Sequence, residues 1–593
     1  MSDRKVARTQ RIGLGVVLGL GLLDAWRYLH YQANPDGVSY VDLARALVAD
    51  GPGALVNGYW SPLYPALIAA GYAVAPPNVE TMYSTAHLMS VLPFVAAALA
   101  FHRLLTALRR HAGADSQAAG RLLLGVVGWA AFALYIVKGI GLHLITPDLG
   151  VAAVAFWVAA EAFALGAAPW PPARWARAGV VLATGYWWKA ILFPVGLVWL
   201  AAAFVVAWRR RDAWRGPVTG GAVYGILALA WIVPVSLHTG RVTFGETGRL
   251  NYLWYVDAAP YVWERCLPPG IADSRAAPFG RMARDSVITG TPLTCAVASP
   301  LATVTMPLWD DPSRYYRETH TRLDLEGQRR AVVNNVAALH KELGELGPVL
   351  PVSALLLGIA VAIAAWSSRR REAGSGHRAG PAMFGVFLAA PVVFYLLVYV
   401  EFRHVAPFVA MAIAAVAAGA ARLHGPARRA LGALAVVAVI EVAWRLATPT
   451  LVAFTLARAT ILGRAPDRVP VTHLVARELA RAGIEPGMRV ASIFNAWNAE
   501  WAQLAGLRIR AIVPEMTTPV GGVLRTLRDP CVLAAWDSAL ARHGIAAAVA
   551  RVPEGIAAPP GFEQLAGTEF RLHRVGVRPK PCATHSTASS SGT

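Results

Sequence analysis

The chain has 593 residues, 56% of them hydrophobic and only 15% charged, with a mean hydropathy of +0.45. So little charge cannot cover a soluble protein of this length, and so much apolar side chain excludes a disordered one; a membrane protein with several spans remains. The formal charge of +20 would point to nucleic acid in a soluble chain, but in a membrane chain loop charge first sets orientation.

Apolar stretches at 12–30, 83–102, 121–137, 148–166, 178–191, 192–207, 217–237, 348–366, 381–400, 405–421 and 430–448 predict eleven spans. Residues 178–207 form one run, long for one helix and short for two. Lys189, Pro194 and Gly185-Tyr186-Trp187-Trp188 at its centre predict a tight hairpin with its tip just inside one membrane face; a single tilted helix is the alternative. Charge separates the two. With a cytoplasmic N-terminus the inside segments are 1–11, 103–120, 167–177, 208–216, 367–380 and 422–429, and they carry twenty basic residues against four acidic ones. Segment 31–82 has Arg45 against Asp36, Asp42, Asp50 and Glu80. The one-helix alternative would put Arg369, Arg370 and Arg371 outside, against the positive-inside rule. The +20 is then mostly topology, and no nucleic-acid partner is expected. No small-residue cleavage site follows Asp24-Ala25-Trp26-Arg27, so the first span is read as a retained helix.

Three segments face outward on this reading: 31–82, 238–347 and everything after 449. The last alternates helix and strand signals. Helices are expected at 471–483, 497–505 and 533–543, and strands at 488–494, 507–513, 545–552 and 569–575, as in a small α/β layer. Residues 577–593 are rich in Pro, Ser and Thr and are expected to be disordered. All four cysteines fall outside, where disulfides are allowed. The expected pairs are Cys266–Cys295 and Cys531–Cys582, with four free thiols as the alternative. No Cys/His cluster has metal-site spacing.

The first outer segment contains Asn34-Pro35-Asp36-Gly37, a turn signal. After it, from Ser39, comes a pattern that suits an amphipathic helix lying on the membrane, with Tyr40, Leu43, Ala44 and Leu47 on one face. Asp36 at the membrane surface is either a turn or capping residue or a general base; spacing leaves both open. Gly58-Tyr59-Trp60-Ser61-Pro62-Leu63-Tyr64-Pro65 follows, an interfacial aromatic stretch that needs no catalytic role. Thr146-Pro147-Asp148 opens the fourth span, where Asp148 also suits a helix N-terminus. Tyr399-Val400-Glu401-Phe402-Arg403-His404 sits between two spans, where ionisable groups are paired or functional; Glu401 and Arg403 could simply neutralise each other. Lys138 and Lys189, at outer span ends, either snorkel or hold a phosphate. All these residues share one membrane side in this topology, as a site for a lipid-linked phosphate would require.

This pattern resembles the GT-C glycosyltransferases, polytopic enzymes that use polyprenyl-phosphate-linked sugars. They include protein O-mannosyltransferases, aminoarabinose transferases and the catalytic subunit of oligosaccharyltransferase. Pro35–Tyr40 with Trp60–Pro65 looks like the family's first outer loop, Thr146-Pro147-Asp148 like its second acidic position, and Glu401-Phe402-Arg403-His404 like its late Glu-x-Arg-Tyr element with His404 in place of Tyr. Gly245–Tyr252 and Pro307-Leu308-Trp309-Asp310-Asp311-Pro312 resemble stretches of uncharacterised bacterial members. The resemblance covers roughly 12–448. The first loop lacks the paired acids common in the family, so a divalent metal is left open but not indicated.

The resemblance implies an α-helical polytopic membrane domain of GT-C type over 1–448, with loops 31–82 and 238–347. A small extracytoplasmic α/β domain is expected at 449–576 and a tail at 577–593. It implies transfer of a hexose or pentose from a polyprenyl-phosphate carrier to the hydroxyl of a glycan, lipid or protein, in a bacterial cytoplasmic (inner) membrane. Asp36 would be the general base and the outcome inversion. Lys138, Lys189 and Arg403 would hold the phosphate, and Tyr40, Tyr64, Asp148, Glu401 and His404 would bind or orient substrate. The competing classes are a transporter and a non-catalytic scaffold for envelope glycan. Transporters carry midplane charges and often internal repeats; this chain shows neither.

Overall fold

The computed structural model describes residues 3–31, 34–112, 118–165, 170–209, 214–262, 277–279, 287–347, 379–421, 426–462, 469–493, 499–514 and 520–576. Its membrane bundle is built from α1 (Asp3–Arg27), α4 (Met82–Ala112), α5 (Ala118–Phe132, continued by a π-helical turn Ala133–Lys138), α6 (Asp148–Leu165), α7 (Pro172–Trp188), α8 (Leu192–Arg209) and α9 (Arg215–Thr239). After the large loop come α12 (Ala379–Val398), α13 (Phe402–Ala420) and α14 (Pro426–Ile461). Between α1 and α4 lie the short helices α2 (Pro35–Asp50) and α3 (Leu63–Val74), and the large loop holds α10 (Thr247–Tyr255) and α11 (Leu325–Leu346). Among the described residues, eight helices are long and apolar enough to cross a membrane. Ten of the expected spans are helices here; 348–366 lies outside the described residues.

The doubtful run 178–207 is two helices. α7 ends at Trp188, Lys189 has an extended backbone, and α8 starts at Leu192. Pro194 suits the first turn of α8, where a missing N–H costs nothing. α7 returns along α9, and a Cβ on Gly179 would meet the carbonyl oxygen of Gly220. Two backbones this close need glycine at the crossing, the small-residue packing that replaces the hydrophobic effect in lipid.

The segment after α14 forms α15 (Val471–Arg481), β3 (Arg489–Ile493), α16 (Glu500–Leu504), β4 (Arg508–Val513), α17 (Val520–Thr526), α18 (Pro530–Arg542), β5 (Ala547–Arg551), β6 (Glu563–Gln564) and β7 (Phe570–Arg574). Two boundaries differ from expectation. α14 runs to Ile461, past 448, because its apolar stretch is prolonged as helix through Pro449. The C-terminal sheet is also not self-contained. The hairpin of β1 (Val287–Gly290) and β2 (Leu293–Ala296), from the large loop, adds to it in the order β1-β2-β4-β3-β5-β7-β6. β3 pairs in parallel with β4 and β5, whereas β2 joins β4 antiparallel, Cys295 opposite Ile512. Cys295 and Cys531 are each disulfide-bonded; Cys266 and Cys582 lie outside the described residues, as does the tail 577–593.

α2 also departs from expectation. It starts at Pro35, with Asn34 as its cap position, and Val38, Ser39, Tyr40, Val41, Asp42, Leu43, Ala44 and Ala46 are all buried. A helix lying on a membrane would leave one face wet. This one is enclosed because the C-terminal domain covers it. One apolar cluster joins Val38, Tyr40, Trp60 and Tyr64 to Val475, Trp501 and Ile509. At its centre, buried Gln503 donates to Asp42 Oδ1 and to the carbonyl of Val38, both at 2.8 Å, and accepts from Tyr83 at 2.9 Å. Asp42 Oδ2 also takes the Thr305 N–H at 2.7 Å. The helix that presents Asp36 is thus clamped by residues from α4, the large loop and the C-terminal domain.

Candidate active site

Asp36 begins α2, Asp148 begins α6, Lys189 caps α7, and Glu401 caps α13. These helix ends meet at one end of the bundle. The centre is Arg403, in the first turn of α13. Its Nη2 donates to Asp36 Oδ2 at 2.8 Å and its Nε to Glu401 Oε2 at 2.6 Å; the Nε also lies 3.7 Å from Asp148 Oδ2. Lys189 Nζ reaches Asp148 Oδ1 at 2.6 Å, and Thr146 Oγ1 donates to Asp148 Oδ2 at 2.7 Å. Three carboxylates therefore share two cations, and the five groups carry a formal charge of −1. A guanidinium suits this place because its planar fork can serve several carboxylates at once.

Of these groups Asp36, Thr146, Lys189, Glu401 and Arg403 line a cavity of about 410 Å³ whose other walls are mostly aromatic and apolar, among them Tyr40, Tyr59, Trp60, Trp188, Trp254, Tyr255, Trp309 and Tyr399. The aromatic wall is set by local turn chemistry. Asn57 Oδ1 accepts from the N–H groups of Tyr59 and Trp60 at 2.8 and 2.9 Å, and its Nδ2 donates to the Asp310 carbonyl at 2.6 Å. The Trp309 carbonyl accepts from Ser39 Oγ and Trp60 Nε1, each at 2.8 Å, so the Trp309 ring is fixed and its Nε1 donates to Asp36 Oδ1 at 3.2 Å. Asp311 anchors the same turn from beneath, accepting from Ser313 Oγ at 2.6 Å and holding His238 Nε2 at 2.7 Å.

Tyr399 stacks on Tyr255 with ring centres 4.0 Å apart at 7°, and its hydroxyl donates to Glu401 Oε1 at 2.6 Å. Burial, and next the charge of Glu401, hold the Tyr399 phenol well above its ordinary pKa, so it stays a donor. Burial, and next the charge of Asp36, push the Tyr40 and Tyr59 phenols up in the same way.

Of the residues singled out in the sequence, Asp36, Asp148, Lys189, Glu401 and Arg403 form this network, and Tyr40 lines the cavity. His404 lines it too, but its capping bond and ring stacking are structural contacts. Its Nδ1 accepts the Glu401 N–H at 3.3 Å in a capping box, and its ring stacks on Tyr395 at 4.8 Å. That bond assigns the proton of the neutral ring to Nε2. Tyr64 stands behind the wall, fully buried, bonded to Ser90 Oγ at 2.8 Å and edge-on to Tyr40. Lys138 is not among the cavity's lining residues. It ends the π-helical turn, and Arg445 of α14 is its charged neighbour. Helical rotation, which span ends alone do not reveal, carries it away from the site. Trp309, Tyr399, Trp254 and Thr146 were not assigned roles from the sequence. The signal for Trp309 was its place in the quoted Pro307–Pro312 stretch. Among the described residues no group of three or more His, Cys, Asp or Glu could hold a metal ion.

No family model matches the chain, and no curated protein sequence matches it. Solved structures do. ArnT from Cupriavidus metallidurans bound to undecaprenyl phosphate is similar at 13% identity over 96% of this chain and 98% of that one, with a TM-score of 0.50. The apo state of that protein gives 12% identity over 95% and 96%, with a TM-score of 0.49. The archaeal oligosaccharyltransferase AglB from Archaeoglobus fulgidus, in complex with an inhibitory peptide and a dolichol-phosphate, gives 10% over 92% and 69%, with a TM-score of 0.46. At these identities the likeness establishes the fold, and the first structure carries it. The chain therefore has the mostly helical, multi-pass membrane fold of that ArnT structure.

Proposed function

We propose that this chain, built on the GT-C fold, is a membrane glycosyltransferase that moves a sugar from a polyprenyl-phosphate carrier to an acceptor hydroxyl, with Asp36 as general base. The observation that supports the reading is Arg403 joining Asp36 and Glu401 on the lining of a cavity whose other walls are mostly apolar and aromatic, with buried Asp148 3.7 Å from its Nε. Desolvated ionic groups at a membrane face are costly and are kept for function.

In the proposed step the acceptor oxygen attacks the anomeric carbon. A new C–O bond forms there, the bond from that carbon to the phosphate oxygen breaks, and its electron pair leaves with the phosphate. The acceptor proton passes to Asp36, and attack opposite the leaving group inverts the anomeric centre. Arg403 and Lys189 offset the charge that develops on the phosphate. Arg403 has capacity for it, since its Nη1 makes a long 3.5 Å contact with Thr146 Oγ1. Asp148 and Glu401 hold the two cations in place, which is mainly positioning. The isoprenoid tail would lie in the apolar groove between α8 and α9, lined by Phe193, Leu197, Tyr224 and Ala228; Phe193 stacks at 4.9 Å on Phe244 of the main cavity.

We assign the site to the extracytoplasmic side of a bacterial inner membrane. Arg109, Arg174, Arg209 and Arg215 all belong to the other ends of their helices, as the positive-inside rule requires. The disulfides fit that side, and we assign Cys266 to Cys295 and Cys531 to Cys582.

Asp36→Asn tests the reading. Proton transfer by a positioned base contributes about 10²–10⁴-fold, so the variant should melt like the wild type, accumulate one lipid-linked sugar in cells and lose one envelope modification. Normal turnover of the lipid-linked pool in a folded Asp36→Asn protein would refute it.

A further inference from the structure

We infer that the aromatic half of the cavity is the acceptor subsite and that it takes an uncharged pyranose ring, so that the acceptor is a saccharide. The inference rests on the carrier-lipid reading above and orders the site along one line. Contacts run from Lys189 to Asp148, from Asp148 to Arg403, and from Arg403 to Asp36; Asp36 then meets the Trp309 indole. A phosphate at the cationic end and a proton acceptor at Asp36 leave the body of the acceptor on the Trp309 side.

That side is a platform of rings. Trp254 and Trp309 lie stacked, centres 5.9 Å apart at 27°, and Tyr59 lies 5.9 Å from Trp254 and 5.4 Å from Trp309. The C–H face of a pyranose, polarised by its oxygens, suits the negative face of such rings. Thr247 and Asn251 add neutral hydrogen-bonding groups along the same wall, and Asn251 Oδ1 accepts from Tyr59 at 3.4 Å. Among the described residues the charged lining residues Asp36, Lys189, Glu401 and Arg403 are all engaged in the ionic network. The Trp254 and Trp309 wall carries no charged side chain among the described residues, and Asp36 at its edge is already held by Arg403, so a carboxylate or ammonium on the acceptor would find no free countercharge there and would bear the cost of a buried charge.

The test uses the full chain in lipid nanodiscs and saturation-transfer NMR. The probes are the methyl pyranosides of glucose, galactose and mannose, with glucuronate, glucosamine and a capped threonine peptide beside them. Undecaprenyl phosphate binding is read separately by native mass spectrometry. Neutral glycosides should receive saturation on their ring protons, at least fivefold above the charged sugars and the peptide. Trp254→Ala should reduce this at least fivefold. Trp254→Phe, which keeps a ring and the packing, should stay within twofold of the wild type, and both should bind the carrier lipid unchanged. Equal signals from charged and neutral sugars, a signal from the peptide alone, or indifference to both Trp254 variants would overturn the inference while carrier binding leaves the donor reading intact. Saccharide binding without carrier binding would remove the donor reading and the acceptor role with it.

Discussion

Removing Arg403 should damage the site in a way that its geometry specifies. Arg403 is 13% exposed in its side chain, and its three carboxylate partners range from Asp148 at 2% to Asp36 at 22% and Glu401 at 36%. Stripping one partner from a buried ion pair costs about 3–5 kcal/mol. Asp148 keeps Lys189 at 2.6 Å, while Asp36 and Glu401 can be partly rehydrated, so Arg403→Gln should cost about 2 kcal/mol. At 1.4 kcal/mol per decade that is roughly 30-fold. Because detergent unfolding is often irreversible, the quantity to read is the half-life at one fixed temperature. Arg403→Lys should not restore it, since one ammonium cannot reproduce bonds to two carboxylates from Nε and Nη2. Adding Glu401→Gln to Arg403→Gln should recover part of the loss by removing one orphaned charge, a coupling that a double-mutant cycle measures. A half-life for Arg403→Gln within twofold of the wild type, or no coupling to Glu401→Gln, would mean the three carboxylates do not depend on this guanidinium.

Gln503→Leu should leave buried Asp42 and Tyr83 short of a partner, at about 1–3 kcal/mol per group, and loosen the C-terminal domain from α2. Limited proteolysis near residue 469 should then speed up several-fold, and unchanged cleavage would contradict the clamp. Burial raises the Glu500 carboxyl from 4.5 to about 7. Its folded state therefore holds the proton longer than the unfolded chain does, and the stability it contributes is present below pH 4.5 and lost as pH rises through 7. The span corresponds to about 3 kcal/mol, and Glu500→Gln should flatten melting temperature against pH over that window; an unchanged slope in the variant would sink the assignment. Gly179→Ala forces a methyl onto the Gly220 carbonyl oxygen and should destabilise α7 against α9 by about 1–3 kcal/mol. Wild-type thermal stability in that variant would show that the two helices can separate freely.

Much of the architecture was legible before any coordinates, because a membrane makes hydrophobicity do the work of secondary-structure prediction. The hairpin at Lys189 followed from a run of the wrong length together with charge bookkeeping. Helices α15, α16 and α18 and strands β3, β4, β5 and β7 followed from alternation, whereas the short β6 and α17 did not. The network of Asp36, Asp148, Lys189, Glu401 and Arg403 was foreshadowed in a weaker sense. Topology put all five on one side, but it put Lys138 there as well, and only the rotation of the π-helical turn and the packing of α14 separate them.

What the sequence determined by itself was therefore which segments enter lipid and which ends they share, since burial in hydrocarbon is a property of each segment alone. Tertiary structure decided what meets within that layer. It placed Trp309 on Asp36 across 273 positions of chain and buried α2 under the C-terminal domain. It also recruited residues 287–296 into a sheet begun about two hundred residues later. Those contacts depend on side-chain direction and on partners distant in sequence, and neither periodicity nor composition records them.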